Sequence, residues 1–463
     1  MTLRQVLTVA QMQAAEQAIF DAGTSISELM EIAAGGAADW IRRIAAGRPV
    51  TVLCGPGNNG GDGYVIARRM REFGNEAYVV APIEPTTGAA KEARKKWGGD
   101  VQTSGDGSNG HVFVDCLFGS GLARPLTGEH AVLLLDLADR HQICVAVDVP
   151  SGIESDSGAL LNDRLPKYDV TLALGAWKYA HWRSPARGHM GIKRLVPIGV
   201  AAVEGAAQLI TRPALSRPRM NAHKYTRGLC GVVAGSMLGA AVLSAQAAMR
   251  SGAGYAKLIS DDPYLSAPPD LVVVNDDIGD ALNDDRVNAV LIGPGLGQSE
   301  VAKKRVSAAL SHARPCVVDA DALHLLSPEM LSADQPILAT PHDGELEALC
   351  RRFSVLADGR QACAAALAKV SGMVICAKGP DTVVAAPDGR IALARPASSW
   401  LSVAGSGDVL AGIAVSRMAT GCEPFTAACE AVWLHGEAAR LCGPAFTAND
   451  LANTVSRAYA ACL

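Results

Sequence analysis

Asp62, Asp115, Asp148 and Asp408 each lie in or beside a small-residue turn, where a carboxylate can reach a ligand. Asp62 belongs to Cys54-Gly55-Pro56-Gly57-Asn58-Asn59-Gly60-Gly61-Asp62-Gly63, a loop between the apolar run Val50-Thr51-Val52-Leu53 and a helically spaced stretch from Tyr64. Glycines there let the backbone approach a ligand, and the amides opening the next helix favour an anion. A diphosphate cradle alone would need neither the asparagines nor the aspartate. Asp115 closes His111-Val112-Phe113-Val114 and leads into the turn 116–125, while Asp148 closes Cys144-Val145-Ala146-Val147 and leads into Val149-Pro150-Ser151-Gly152. Asn59, Asp62, Asp115, Asp148 and Ser151 make an oxygen-rich set, with no His or Cys signal nearby. Such a set suits a hard cation and leaves one carboxylate for proton transfer. The plainer alternative is that Asp115 and Asp148 only cap helices, a reading weakened by their occurring together beside the asparagine-glycine loop.

A second set lies in the C-terminal half. Ala404-Gly405-Ser406-Gly407-Asp408 opens a helix whose first amides can cradle a phosphoryl group, with Asp408 placed to take a proton from an attacking hydroxyl. A lone GxGD is weak, but it has company. Met373 to Ala377 reads as a strand ending in Lys378-Gly379-Pro380-Asp381-Thr382, suited to a nucleotide's phosphates. Gly293-Pro294-Gly295-Leu296-Gly297, Asp319-Ala320-Asp321 and Thr340-Pro341-His342-Asp343 also follow apolar runs. His342 alone reads as a hydrogen-bonded structural histidine; beside the other loops, ligand contact is the favoured role.

The elements that must position these residues read as a βαβ rhythm. Thr8 to Gln11 and Ser25 to Glu28 match the helix capping box, so two helices open the chain. Strands are predicted at 50–54, 77–81, 111–115, 143–147 and 169–174. A second series follows at 229–234, 255–259, 271–274, 288–292, 315–319, 336–339, 373–377 and 382–386. Ala240 to Arg250 and Gln361 to Val370 read as helices, and 408–463 as mainly helical. In a doubly wound parallel sheet the carboxyl ends of the strands share one crevice, so loops far apart in sequence can converge. Two prolines and no periodicity mark 213–220 as a linker between domains at 1–212 and 221–463. At 463 residues the chain is too long for one ordinary core.

Composition excludes several classes. A net charge of −4 with 19% charged residues gives no footing for a nucleic-acid partner, and Lys91 to Lys96 reads as a solvated helix face. The twelve cysteines show neither a disulfide framework nor zinc spacing. With no apolar run near 18 residues and no basic-then-apolar start, a cytoplasmic protein without a membrane partner is expected.

Leu29-Met30-Glu31 with Ala34-Gly35, the asparagine-glycine loop, VDxLFGxGLxRP and VDVPSG resemble the epimerase domain of the bacterial NAD(P)H-hydrate repair family, over most of residues 1–212. The resemblance implies a Rossmann-like fold and interconversion of the R and S forms of hydrated NADH and NADPH. It implies a potassium ion held by Asn59, Asp115 and Ser151. It places substrate against Asn58, Asn59, Gly60, Gly61 and Asp62, against Gly119, Ser120, Gly121, Leu122, Ala123, Arg124 and Pro125, and against Asp148. Asp148 is the candidate acid/base, the alternative being that it only orients the ligand.

From about residue 221, Asn221-Ala222-His223-Lys224, Met249-Arg250-Ser251-Gly252-Ala253-Gly254 and the C-terminal turns resemble the ribokinase-like dehydratase domain of the same family. This implies phosphorylation of the substrate hydroxyl by ADP with Asp408 as base, then loss of phosphate to restore the nicotinamide double bond. Nucleotide is expected at Lys378, Gly379, Pro380, Asp381, Thr382 and Gly407. Hydrated cofactor is expected at Ala240, Gly297, His342 and Asp408, and magnesium with the nucleotide through phosphates and water. The expected partners are these small molecules and further copies of the chain in a homo-oligomer. Two positions depart from the family pattern: Asp343 stands where proline is usual, and Ser398 to Leu401 lacks an expected asparagine. A carboxylate beside His342 would weaken affinity for an anionic substrate. The competing readings are a small-molecule hydroxyl kinase and an N-terminal domain that only binds and regulates.

Overall fold

Thr8 and Ser25 each accept from the amide three residues on, and Gln11 and Glu28 reach back to the cap amides, closing both capping boxes. They start the helices Val9–Asp21 and Ile26–Ala45. The computed structural model describes residues 2–106, 110–261 and 267–463. The chain divides into two compact units, Met1–Gln208 and Leu209–Leu463.

The strands of the first unit are β1 (Gln5–Leu7), β2 (Val50–Cys54), β3 (Ala77–Val80), β4 (Val101–Gln102), β5 (Gly110–Cys116), β6 (His141–Val147), β7 (Val170–Leu174), β8 (Trp177–Lys178) and β9 (Ile192–Val196), and β10 (Ala207–Leu209) lies at its boundary. Seven of them form a sheet in the order β4-β3-β2-β5-β6-β7-β9, parallel throughout. The order runs one way from β2 through β3 and the other way from β5 through β6. The switch point therefore lies between β2 and β5, and the carboxyl ends there form the crevice such sheets use for ligands. Sequence periodicity missed β1, β4, β8, β9 and β10, which are short or, as in β9, carry their exposed face outward.

The helix after β2 corrects the loop expected there. It runs Asn58–Glu72, so Gly60, Gly61, Asp62 and Gly63 occupy its first two turns. The glycines serve close packing within the protein. A Cβ on Gly60 would overlap the Gly55 backbone, one on Gly61 would come 2.5 Å from Met30 Cε, and one on Gly63 2.7 Å from Cys54 Sγ.

The second unit adds β11 (Leu229–Val233), β12 (Tyr255–Ile259), β13 (Val272–Val274), β14 (Val287–Ile292), β15 (Cys316–Val318), β16 (Ile337–Ala339), β17 (Val374–Ala377), β18 (Val383–Ala385) and β19 (Ile391–Leu393). They pair in the order β13-β12-β11-β14-β15-β16-β17-β18-β19, parallel as far as β17 and antiparallel beyond. The helices Ser406–Ala419, Pro424–Cys442 and Ala448–Ala460 complete it. Every residue from Val409 to Ala419 is buried. A helix sunk on all sides carries no amphipathic stripe, so its place in the core was not legible from periodicity. It crosses Leu238–Met249 so closely that a Cβ on Gly412 would overlap the Ser244 carbonyl.

All twelve cysteines are free thiols. Among the described residues no helix is long and apolar enough to cross a membrane.

Candidate active sites

In the first unit three strand ends converge. Asp115, at the end of β5, accepts from Leu117 N (3.1 Å), Ser151 N (3.0 Å), Ser151 Oγ (2.7 Å) and Tyr168 OH (2.6 Å). Ser151 Oγ in turn accepts from Phe118 N at 2.9 Å and lies 3.1 Å from the Phe118 carbonyl. Burial pushes the Asp115 carboxyl up, against those donors. Asn59, on the helix after β2, packs against Gly119, and among the described residues neither its buried Oδ1 nor its Nδ2 has a partner. Asn58 is exposed, with its Oδ1 accepting from the Thr87 hydroxyl.

Asp148 sits in the left-handed region at φ 65°, an uncommon conformation for a non-glycine residue that the surroundings must enforce. They do so on both sides. Its amide donates to Leu172 O and its carbonyl accepts from His181 Nε2, both at 2.8 Å. His181 Nδ1 accepts from Lys178 N at 2.9 Å, which fixes the Nε2–H tautomer, and burial lowers the imidazole to about 4, so it is neutral. The Asp148 carboxylate accepts from Lys178 Nζ (2.5 Å) and from Ser120 N (3.2 Å). Lys178 is 1% exposed and also donates to Leu174 O at 2.6 Å. Burial works to raise the Asp148 pKa, but the Lys178 ammonium outweighs it and holds the carboxyl below its usual range. Asp62 is pushed the other way: burial first, then the charge on Asp148, raise it well above its ordinary value. Among the described residues Asp62 accepts no hydrogen bond, and Glu16 contributes a third, raised carboxyl to the same field. The surroundings thus push these two buried carboxyls in opposite directions.

Sequence reasoning missed Lys178, His181 and Tyr168. Lys178 did leave a signal, as the one charge in the apolar run Val170 to Ala180. Gly121, Ala123, Arg124 and Pro125 are exposed and follow Ser120, whose amide donates to Asp148.

The second unit gathers its groups at the carboxyl ends of β14 to β17. Asp319, after β15, accepts from Lys378 Nζ (2.6 Å), after β17, and from Thr340 Oγ1 (2.8 Å), after β16. Burial disfavours the Lys378 ammonium, but Asp319 keeps it charged and raises its pKa. Lys378 Nζ overhangs the helix start, where a Cβ on Gly407 would lie 3.4 Å from it. Gly405 takes φ 87° as the cap residue, and His435 Nε2 donates to Ser406 O at 2.9 Å. Asp408 follows in the first helical turn. Burial, then the charge on Asp319, raises it to about 7 against the pull of Lys378. Gly297 donates to Asp321 Oδ2 at 2.8 Å, and Gly295 packs against Ala240. Gly379 and Thr382 close the turn after Lys378 on each other.

His342 caps the helix Asp343–Arg352: its Nδ1 accepts from Glu345 N at 3.3 Å, and its ring is exposed. Asp343 is bound by Arg360 at 2.7 and 2.6 Å, and Arg360 lowers its pKa. The carboxylate expected to repel an anion is thus neutralised. Among the described residues no three His, Cys, Asp or Glu side chains form a metal cage.

Residues 26–180 match the family described as YjeF-related protein N-terminus, and residues 230–460 the family described as NAD(P)H-hydrate dehydratase. The chain is 35% identical to the bifunctional NAD(P)H-hydrate repair enzyme Nnr of Gloeobacter violaceus, over 93% of this chain and 92% of that one. It is similar to the ADP/ATP-dependent NAD(P)H-hydrate dehydratase of Bacillus subtilis co-crystallised with ATP and Mg2+ (28% identity, 54% of this chain, 95% of that chain, TM-score 0.47). It shares its fold with a ribokinase-like superfamily protein of Enterococcus faecalis (21% identity, 57% of this chain, 98% of that chain, TM-score 0.50).

Proposed function

Since the chain belongs to the bifunctional NAD(P)H-hydrate repair family, an NAD(P)H-hydrate epimerase fused to an ADP- or ATP-dependent NAD(P)H-hydrate dehydratase, we propose that Asp148 with Asp62 runs the first reaction and Asp408 the second. The observation that carries the epimerase assignment is the buried Asp148 carboxylate, held by Lys178 Nζ at 2.5 Å and Ser120 N at 3.2 Å, with burial raising its neighbour Asp62 while Lys178 lowers Asp148 itself. Neutral Asp62 gives its proton to the hydroxyl on the hydrated ring carbon, which leaves as water while the ring nitrogen's lone pair forms a planar iminium. Water returns to the other face and loses its proton to the ionised Asp148, and passage of that proton from Asp148 to Asp62 restores the starting state. Lys178 keeps Asp148 ionised, and neutral His181 holds its backbone in place.

Asn59, Asp115 and Ser151 are the proposed holders of potassium. Asn59 supplies a buried oxygen with no other partner among the described residues. The single Ser151 hydroxyl proton faces both Asp115 Oδ1 and the Phe118 carbonyl; turned to the latter, it would free Asp115 Oδ1 and a hydroxyl lone pair. A bound cation would add positive charge beside the substrate's diphosphate. Epimerisation is expected to rise with K+ and to fall when Li+ replaces it, while Asn59→Leu flattens that response. A wild-type rate indifferent to the cation would remove potassium from the account.

In the second domain Asp408 accepts the proton of the substrate hydroxyl as it attacks the terminal phosphoryl of ADP. AMP leaves. Loss of a neighbouring ring proton together with inorganic phosphate then restores the double bond. Lys378, pinned by Asp319, and the amides at Gly407 and Asp408 face that phosphoryl, and magnesium would arrive with the nucleotide's phosphates. The test is S-hydrate with ADP: NADH absorbance should return with one phosphate per NADH. A stable phosphorylated product would make the domain a hydroxyl kinase instead.

A further inference from the structure

We propose that Arg360, held by Asp343, sets the position of the nucleotide loop 378–382 and thereby the affinity for the nucleotide. The inference rests on the reading of that loop as the nucleotide site. Arg360 opens the helix Arg360–Ser371 and Asp343 opens Asp343–Arg352. Arg360 Nε and Nη2 donate to Asp343 Oδ1 and Oδ2 at 2.7 and 2.6 Å, a two-pronged fork that fixes the guanidinium plane. The remaining nitrogen, Nη1, donates to the Asp381 carbonyl at 3.3 Å. The guanidinium also lies against Gly379, where a Cβ would come within 2.5 Å of Arg360 Cζ. One side chain, 18% exposed, thus joins two helix starts to the loop.

The fork also decides how Arg360 acts. Asp343 neutralises its charge and takes two of its three nitrogens, so the guanidinium works through the loop it touches and not as a free cation toward phosphate. The two roles make opposite predictions for Asp343. If Arg360 positions the loop, removing Asp343 releases the guanidinium's orientation and weakens nucleotide binding. If Arg360 were a phosphate ligand held in reserve, removing Asp343 would strengthen binding.

The experiment uses the full chain, with S-hydrate fixed at saturation and ADP varied, for Arg360→Ala, Arg360→Lys, Asp343→Ala and the double alanine variant. The KM for ADP is expected to rise about 10-fold in each single alanine variant. The kcat should stay within about twofold, because the reacting groups are untouched. The KM for the hydrate should not move. The double variant should be no worse than the poorer single, since both substitutions break one unit. Arg360→Lys should stay close to alanine, because an ammonium cannot form the fork. An unchanged KM for ADP, or a fall in Asp343→Ala, overturns the proposal. Should Arg360→Ala fail to fold, Asp343→Ala and Arg360→Lys carry the same two outcomes. Should the wild type show no ADP-dependent dehydration, the functional reading fails first, and calorimetric ADP titration of the same variants still tests the loop.

Discussion

Asp408→Asn will cut nucleotide-dependent dehydration by roughly 10²- to 10⁴-fold, the usual range for loss of a general base, and leave epimerisation at the wild-type rate. Asparagine keeps the shape of the side chain and cannot accept the proton. Asp408 suits the role because burial and Asp319 raise it to about 7, which places a usable base near neutrality. In the free enzyme the active form is the carboxylate, so kcat/KM for dehydration should fall roughly tenfold per pH unit below pH about 7. The stability effect has a definite sign. A folded-state pKa above the unfolded one gives stability that is fully present below pH about 4 and lost as pH rises through about 7. Asparagine has no such loss. At pH 8 the variant should melt no lower than the wild type, which unfolding by circular dichroism checks. A variant that is both inactive and much less stable would mean that Asp408 is structural.

The second large effect falls on the pair in the first domain. Lys178→Met leaves the Asp148 carboxylate buried against Ser120 and Leu174 without its counter-ion. Breaking one partner of a buried pair costs about 3–5 kcal/mol, and with a side chain 10% exposed there is little solvent to screen it. The Asp148 pKa should rise in the variant, and epimerisation should be lost near neutrality. In the wild type that carboxyl is held low, so its contribution to stability is present above pH about 4 and lost as pH falls through its folded value. Asp148→Asn should lose epimerisation with a loss of stability of the same order, since it leaves the Lys178 ammonium buried without its counter-ion. The double variant Asp148→Asn/Lys178→Met should regain part of the stability lost in Lys178→Met and none of the activity. Denaturant unfolding and chromatographic separation of the R and S hydrates read the two effects apart.

The parallel architecture was legible because strand-end loops recur with aspartates, glycines and lysines at their first positions. Asp148, Asp319 and Lys378 were read from strand ends and Asp408 from the small-residue turn that opens its helix. Their pairings were not legible. Lys178 lies thirty residues beyond Asp148, and the hydrogen bond between them depends on β8 and the turn Tyr179–His181, too short to leave a periodic signal. Asp319 and Lys378 meet only because β15 and β17 flank β16. Glycine content marked close approach without saying to what: Gly60 and Gly63 make room for the protein's own backbone and side chains. His342 was singled out for ligand contact; it also caps the helix Asp343–Arg352, a role its spacing to Glu345 already allowed. Asp343 was flagged as an unwelcome charge, and only the fold supplies Arg360 as its partner.

The central claim is that one chain carries two reactions on two separate carboxylate centres, in sequence. The direct measurement is NADH recovery from pure R-hydrate with ADP, comparing the wild type, Asp148→Asn and Asp408→Asn. The wild type should recover NADH fully, Asp148→Asn should stall until S-hydrate is added, and Asp408→Asn should equilibrate the epimers without producing NADH. If Asp148→Asn consumes R-hydrate as fast as the wild type, the first domain's carboxylate centre is not an epimerisation site.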